Sequence, residues 1–255
     1  MPISAVVNTY NAAKTLRKSL DSLTKFDEIV VCDMESSDNT VEIAKEYGCK
    51  VVTFPKANHK SAEPARTFAI QSASSEWVLV VDADEVIPDT LREYLYERIK
   101  QPDCPAGLYI PRRNFRMGQF LSSTYPDYQL RFFKREGTVW PPYVHTFPTV
   151  QGPTEKIPQK QTELAMIHLP CPMAEMVDKL NDYTDNEVEK RKNKKVSYAT
   201  LVFSPGWRFF KVFILKGGIF QGKLGFIQAA QSSFYRFVML CKILEHQNEH
   251  KMCDK

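Results

Sequence analysis

Residues 78–84 run Val-Leu-Val-Val-Asp-Ala-Asp, four apolar β-formers leading into two carboxylates one residue apart. The apolar run fits a strand covered on both faces of a parallel sheet. Asp82 and Asp84 then stand at the end of that strand, the edge of an open α/β sheet at which ligands bind. In an extended chain residues two apart share a side. The two carboxylates would therefore repel, and one pKa would rise unless a cation or donor joins them. A hard divalent metal shared with substrate phosphates is such a partner. Taken alone, Asp-x-Asp is equally a polar strand end with Asp84 or Glu85 starting the next helix.

Three further polar clusters follow strand-like segments. Asn8-Thr9-Tyr10-Asn11 closes the segment Ile3–Asn8. Asp33 closes Glu28–Asp33 and is followed by Glu35-Ser36-Ser37-Asp38. Asn58-His59-Lys60 and Pro64-Ala65-Arg66 lie beyond Val51–Phe54. Together the four strand ends describe a site with carboxylates for a metal, basic residues for phosphate and an aspartate able to accept from a base or ribose. Neither Gly-x-Gly-x-x-Gly nor Gly-Lys-Ser/Thr occurs, which removes dinucleotide-binding and P-loop chemistry.

These groups need alternating strands and helices to hold them. Helix signals cover Ala12–Leu23, with apolar residues at Ala12, Leu16, Leu20 and Leu23, and Thr40–Tyr47, with Asp38 as N-cap and Gly48 as stop. Further helices are expected over Pro64–Ser72 and from Pro88 to about Ile99. The alternation predicts an α/β fold with a doubly wound, mostly parallel sheet. From about Pro102 prolines and aromatics rise. Strand signals at Leu108–Pro111, Gln129–Phe133 and Thr138–Trp140 predict a mixed or antiparallel extension, and a charged helix follows over Met173–Lys192.

Within the extension, Asp127 of Tyr125-Pro-Asp-Tyr-Gln-Leu-Arg is a candidate general base, with a plain turn aspartate as the alternative. Arg131 is a candidate phosphate contact. Arg112 and Arg113 are either contacts for an anionic substrate or a solvated pair. His145 is a candidate metal or phosphate ligand, since neutral imidazole ligates well, or else a structural hydrogen-bonder. His168 is a weaker candidate of the same kind, and Trp140 is expected to pack.

The chain of 255 residues has a net charge of +4, unevenly placed. Between Lys190 and Lys242 there are eleven Lys/Arg and no Asp/Glu, which leaves the remainder at −7. Phe226, Ile227, Ala230, Phe234, Phe237, Val238, Cys241 and Leu244 recur at spacings of three and four, an amphipathic helix. Such a helix either packs on the core or lies in a membrane interface. The basic, aromatic block favours an anionic membrane surface, and its aliphatic content argues against nucleic acid. Six scattered cysteines without a C-x-x-C pair fit reduced packing thiols of a cytosolic chain. Met1-Pro2 leads directly into a strand, and no apolar run reaches the roughly 18–20 residues of a spanning helix, so a cytoplasmic location is expected. The reading divides the chain into 1–104, a ligand-binding strand–helix half; 105–190, a second, mixed half; and 191–255, basic amphipathic C-terminal helices.

The order Asn-Thr-Tyr-Asn, Ile-Val-Val-x-Asp-x-x-Ser-x-Asp-x-Thr, Ala-Arg and Val-Asp-Ala-Asp-Glu resembles inverting family 2 glycosyltransferases of the GT-A fold. The likeness continues through Ile110-Pro-Arg-Arg-Asn, Tyr125-Pro-Asp-Tyr-Gln-Leu-Arg-Phe-Phe, Val144-His145 and Lys216-Gly-Gly. These segments resemble the branch of bacterial lipopolysaccharide-core glucosyltransferases. The resemblance implies transfer of a sugar from a nucleotide-diphosphate sugar to a hydroxyl of a lipid-linked or cell-surface glycan acceptor. It implies that Thr9, Tyr10 and Asp33 line the nucleoside pocket, that Arg66 sits near the diphosphate and that Asp82 faces ribose or water. Asp84 would bind Mg²⁺ or Mn²⁺, and the enzyme would sit peripherally on the inner face of the cytoplasmic membrane. Two positions depart from the family: Glu35 stands where Gly is usual, and Met34 where many relatives carry Asp or Ser, leaving Asp33 as the base contact. The competing readings are a sugar-phosphate nucleotidyltransferase, which normally needs a Gly-rich phosphate loop that Asn8–Ala12 lacks, and a non-catalytic membrane-associated scaffold.

Overall fold

β-branched runs alternate with amphipathic helices through the first hundred residues and wind them into a parallel sheet. The structure, a computed structural model, describes residues 1–59, 61–143, 146–191 and 193–253, without the side chains of 186, 189, 190 and 249–253. The order is β1 (Ile3–Thr9), α1 (Ala13–Asp21), β2 (Glu28–Asp33), α2 (Thr40–Glu46), β3 (Lys50–Thr53), α3 (Glu63–Gln71), β4 (Trp77–Asp82), β5 (Glu85–Val86) and α4 (Asp89–Arg98). β6 (Gly107–Ile110), β7 (Arg112–Arg116), β8 (Gln119–Phe120), β9 (Gln129–Lys134), β10 (Thr154–Lys156) and β11 (Met166–His168) follow, then the helices α5 (Met173–Arg191), α6 (Tyr198–Phe210) and α7 (Gly222–Cys253). The chain divides into two compact units, Met1–Asn114 with Tyr125–Leu169, and Phe115–Thr124 with Pro170–Lys255. That division falls elsewhere than the expected breaks after 104 and 190, because the return of 125–169 to the main sheet cannot be read from local composition.

In the first unit the main sheet has the order β10-β6-β9-β4-β1-β2-β3. β4, β1, β2 and β3 are parallel, and β9 is antiparallel to both β4 and β6, the mixed extension expected from sequence. Alternation sorts the strand residues into two cores. Ile3, Ala5, Val7, Leu79 and Val81 face Leu16, Leu20, Leu91 and Leu95 of α1 and α4. Val6, Val30, Val78 and Val80 face Ala65, Ala69 and Ile70 of α3 and, beyond them, Trp140. Each fully buried Leu, Ile or Val contributes roughly 1.5–3 kcal/mol, which fixes the register. That register sets Asn8 opposite Asp82 and Thr9 opposite Asp33 at the carboxyl edge.

A smaller sheet brings chemistry from distant sequence to one place. β11 pairs antiparallel with β5 and parallel with β7, so that His168 lies opposite both Glu85 and Asn114. Neither β5, β7 nor β11 was expected, since segments of two to five residues are too short to show a hydrophobic period. Thr138–Trp140, expected as a strand, holds only a single bridge from Val139 to Thr149.

The second unit contains the β7–β8 hairpin tip and the three C-terminal helices. Met117 and Gly118 both have positive φ, 49° and 74°, as a two-residue type I′ turn requires. Ser197 caps α6, accepting from the Thr200 amide at 3.2 Å. Pro205 lies inside α6, which runs on into a π-helical turn at Lys211–Leu215. Gly218 and Gly225 let two backbones meet: a Cβ on Gly225 would lie 1.8 Å from the Gly218 carbonyl oxygen. Among the described residues no helix is long and apolar enough to cross a membrane.

Candidate active site

The carboxyl ends of β1 and β2 form the first corner of the site. Asp33 is almost fully buried and accepts from the Thr9 hydroxyl at 2.9 Å, the Ser36 amide at 2.8 Å and the Ser36 hydroxyl at 2.6 Å. Tyr10 is half exposed, with the Lys56 ammonium 4.7 Å from its ring centre. Thr9 and Asp33 are thus in direct contact, with Tyr10 the next residue after Thr9. Glu35 holds φ at +60°, the left-handed conformation for which glycine is favoured, and its carboxylate accepts from the Lys56 amide at 3.0 Å. The loop therefore retains a glycine-type backbone in spite of the substitution.

Asp82 and Asp84 do not act as a pair. β4 ends at Asp82 and the chain turns at Ala83-Asp84, so strand alternation no longer holds and the carboxylates take different partners. Asp82 is clamped by two arginines: Arg66 donates from Nη2 to Oδ1 at 2.7 Å, and Arg131 donates from Nη2 to Oδ2. Arg66 and Arg131 are 6% and 4% exposed, and their guanidinium carbons lie 4.5 and 5.5 Å from the Trp140 ring centre. Burial pushes the Asp82 pKa up, but Arg131, Arg66 and Arg112 outweigh it and hold the carboxylate ionised far below the usual range. The cations that relieve the expected repulsion are therefore arginines. Arg66 and Arg131 each spend one Nη2 on Asp82. Around this clamp, Asn8 Nδ2 and Oδ1, Nε and Nη1 of both arginines and Trp140 Nε1 are buried without a partner among the described residues. A cluster so rich in donors calls for acceptor oxygens, which ordered water or a ligand supplies.

Asp84 instead faces His168, with Oδ2 3.3 Å from Nε2. The opposite ring nitrogen, Nδ1, is 2.8 Å from Asn114 Oδ1, and Asn114 Nδ2 donates to Asp127 Oδ2 at 2.8 Å. Asp127 also accepts from Arg112 Nε at 2.9 Å and from Gln129 Nε2 at 3.2 Å. Arg112 in turn pairs with Glu85, which is fully buried and accepts the Asp82 amide at 3.0 Å. Burial raises the Asp127 pKa, but Arg112, Asn114 and Gln129 overcome it, so the carboxyl lies below its ordinary value and is ionised at neutral pH. Its backbone sits at φ +35°, a left-handed strain of the kind that collects at functional sites. Arg112, expected as a contact for an anionic substrate or as solvated, is instead enclosed between Glu85 and Asp127. Sequence reading missed Glu85 and Asn114 as site residues. The only signal for Asn114 was its place in the Ile-Pro-Arg-Arg-Asn segment.

Residues 4–151 match the description of glycosyl transferase family 2. This chain belongs to glycosyl transferase family 2. It is 26% identical over 256 residues to the lipopolysaccharide core biosynthesis glycosyltransferase LpsC of Rhizobium meliloti (strain 1021), covering 96% of this chain and 93% of that protein. Among solved structures it is similar to the mannosyltransferase PcManGT from Pyrobaculum calidifontis in complex with GDP-Man and Mn²⁺, with a TM-score of 0.57 and 14% identity over 95% of this chain and 86% of that one. It is also similar to S. aureus TarS 1-349 in complex with UDP-GlcNAc, with a TM-score of 0.53 and 16% identity over 99% and 92% of the two chains. The fold is that of the GT-A glycosyltransferases, as the sequence resemblance implied. The protein is a glycosyltransferase, which sets aside the nucleotidyltransferase and scaffold alternatives.

The donor set of this family 2 glycosyltransferase fits a hard divalent cation. Asn114 Nδ2 donates to a carboxylate, so its Oδ1 must face His168, and an acceptor there requires the proton on Nδ1. As a neutral ring, His168 would then turn its Nε2 lone pair toward Asp84 Oδ2; as a cation it would donate Nε2–H there. Two acceptors 3.3 Å apart are stable only with a proton or a cation shared between them. Both side chains are about 30% exposed, leaving room for further ligands. Among the described residues no group of three or more His, Cys, Asp or Glu is placed to enclose a metal, so such an ion would depend on ligands from the substrate or water. His145, the expected histidine ligand, lies outside the described residues.

Proposed function

We propose that this glycosyltransferase moves a sugar, with inversion, from a nucleotide-diphosphate sugar to a hydroxyl of a lipid-linked or cell-surface glycan, assisted by Mg²⁺ or Mn²⁺. The observation that carries the reading is the Asp127 carboxylate: ionised, braced by Arg112, and joined through Asn114 to the Asp84–His168 pair. The complexes of similar proteins with GDP-Man and Mn²⁺ and with UDP-GlcNAc support the donor class, and the likeness to LpsC supports a glycan acceptor.

In this reading the nucleoside lies against Tyr10 and the loop that Thr9, Asp33 and Ser36 hold in shape. The Arg66–Asp82–Arg131 clamp presents a positive edge near the diphosphate. Asp84 and His168 would hold the metal, which would supply Lewis-acid stabilisation of negative charge on the diphosphate. Asp127 receives the acceptor's proton on Oδ1, to which Gln129 Nε2 donates at 3.2 Å. As the acceptor oxygen bonds to the anomeric carbon, the bond from that carbon to the diphosphate oxygen breaks, and the nucleoside diphosphate leaves with the electron pair.

We place the enzyme on the inner face of a cytoplasmic membrane. Within the second unit Phe203, Trp207, Phe210 and Ile214 follow one another at spacings of four and three and are all exposed, as is Phe220 at 91%. Arg208, Lys211, Lys216 and Lys223 on the same stretch are exposed too. Aromatic side chains interleaved with unopposed cations suit the interface of an anionic bilayer.

The test is a thermal-shift screen of nucleotides and nucleotide sugars with and without Mn²⁺ or Mg²⁺, followed by a transfer assay with the donor so found. A donor should stabilise the protein in a metal-dependent way, and Asp127→Asn should retain that shift while losing roughly 10²–10⁴-fold in turnover. Wild-type turnover by Asp127→Asn would overturn the assignment of the base.

A further inference from the structure

Asn114 does two things at once that few side chain types can do. Its amide nitrogen donates to Asp127 Oδ2 at 2.8 Å, and its carbonyl oxygen lies 2.8 Å from His168 Nδ1. The position is built into the sheet, because the parallel pairing of β7 and β11 sets Asn114 directly opposite His168. A carboxylate can only accept, so the Asp127 contact fixes which end of the amide faces the histidine. The histidine tautomer follows from that orientation.

We propose that Asn114 is a positioning residue that couples the donor side of the site to the acceptor side. It fixes the ring of His168 with the proton on Nδ1 and the Nε2 lone pair toward Asp84, while aiming the Asp127 carboxylate. The inference rests on reading Asp84 and His168 as metal ligands and Asp127 as the base. A ligating imidazole is held in this way by the hydrogen bond at its other nitrogen. Here the holding group is itself held by the base, so a change on one side is felt on the other.

Two substitutions separate the roles. Aspartate at 114 still accepts from His168 Nδ1–H but meets Asp127 with a like charge and no donor. Alanine gives up both contacts. The experiment uses the full-length chain labelled with ¹⁵N-histidine, at a concentration of diamagnetic Mg²⁺ that saturates the wild type and at alkaline pH where imidazole is neutral, with the signal of His168 identified by its loss in His168→Gln. Wild type and Asn114→Asp should show the Nδ1–H tautomer, whereas Asn114→Ala should show a mixture. Mn²⁺ titration followed by electron paramagnetic resonance should give Asn114→Ala an affinity weaker by roughly 10–100-fold, with Asn114→Asp close to wild type. In the transfer assay Asn114→Asp should lose kcat with little change in donor KM. If wild type binds Mn²⁺ but Asn114→Ala changes neither tautomer nor affinity, the coupling is overturned, as it is by an Nε2–H form in wild type. If wild type binds no Mn²⁺, the metal reading fails on its own, and kcat of Asn114→Asp still decides whether Asn114 aims Asp127: an unchanged kcat overturns that role.

Discussion

Two carboxylates one residue apart should have opposite fates on neutralisation. Asp82→Asn leaves Arg66 and Arg131, both more than nine-tenths buried, without the anion that each of them grips. An amide satisfies one guanidinium with its oxygen and turns donors toward the other. Breaking a buried pair from one side costs about 3–5 kcal/mol, and roughly 2–4 °C per kcal/mol applies to a domain of this size. The first unit of Asp82→Asn should therefore melt on the order of 10 °C below wild type. Asp84→Asn removes a carboxylate that is 30% exposed and faces a histidine at 3.3 Å, a contact worth at most about 1 kcal/mol. Its melting point should barely move. The ligand response should reverse this order: saturating Mn²⁺ with a nucleotide should raise the melting point of Asp82→Asn and leave Asp84→Asn unchanged, where about 100 times the dissociation constant is worth roughly 2.7 kcal/mol. Calorimetry with and without ligand reads both effects. Equal stability of Asp82→Asn and wild type would refute the clamp, and a full Mn²⁺ shift in Asp84→Asn would refute the ligand.

Other consequences are open to simple assays. The native pKa of Asp82 lies far below its unfolded value of about 3.9, so its stabilisation is complete above that pH and is lost as acid titrates the native carboxylate. The stability gap between wild type and Asp82→Asn should be constant near neutrality and shrink below about pH 4 in urea titrations; a gap that widens there would be wrong in sign. Burial, with Asp33 adding to it, pushes the Cys32 thiol up to about 12, so Cys32 should resist thiol reagents until the protein unfolds, as quantified by labelling and mass spectrometry. Gly225→Ala should destabilise the second unit by roughly 1–3 kcal/mol or more through overpacking, because its Cβ meets backbone. Gly206→Ala, with nothing within 4 Å, should stabilise α6 by about 0.5–1 kcal/mol. Paired Trp207→Ser and Phe220→Ser changes should weaken flotation with anionic vesicles at least tenfold, and unchanged flotation would remove the membrane assignment.

What was legible in the sequence is what burial writes there. β1, β2 and β4 are almost entirely buried, and their apolar runs, with helices between them, announced a parallel sheet whose edge carries Thr9, Asp33, Asp82 and Asp84. The small sheet was not legible. β5, β7 and β11 have two, five and three residues, too few for any periodicity, yet their pairing is what brings Glu85, Asn114 and His168 together. The division of labour between Asp82 and Asp84 was hidden for a related reason. It depends on a turn at Ala83-Asp84 and on Arg66 and Arg131, which lie 16 and 49 positions away from Asp82.

The same geometry explains why so many charges can be buried at one sheet edge. Asp82, Glu85 and Asp127 supply three carboxylates; Arg66, Arg112 and Arg131 supply three guanidiniums that alternate with them. Arg112 bridges Glu85 to Asp127, and Arg131 stands between Asp82 and Glu85, so the whole behaves as one network. In the proposed mechanism the two halves of the reaction would be supported from opposite ends: Asp82 at the strand terminus and Asp127 at the loop before β9. Arg112 is the member whose loss should reach furthest, since Arg112→Met strips a cation from Glu85 and Asp127 together. The variant should raise the Asp127 pKa, because Arg112 is the leading influence holding it down against burial. As a base that must be ionised to act, Asp127 should then lose activity toward acid, moving the acidic limb of the kcat profile to higher pH. A profile identical to wild type, scaled only in height, would mean that Arg112 merely supports the fold and that the base lies elsewhere.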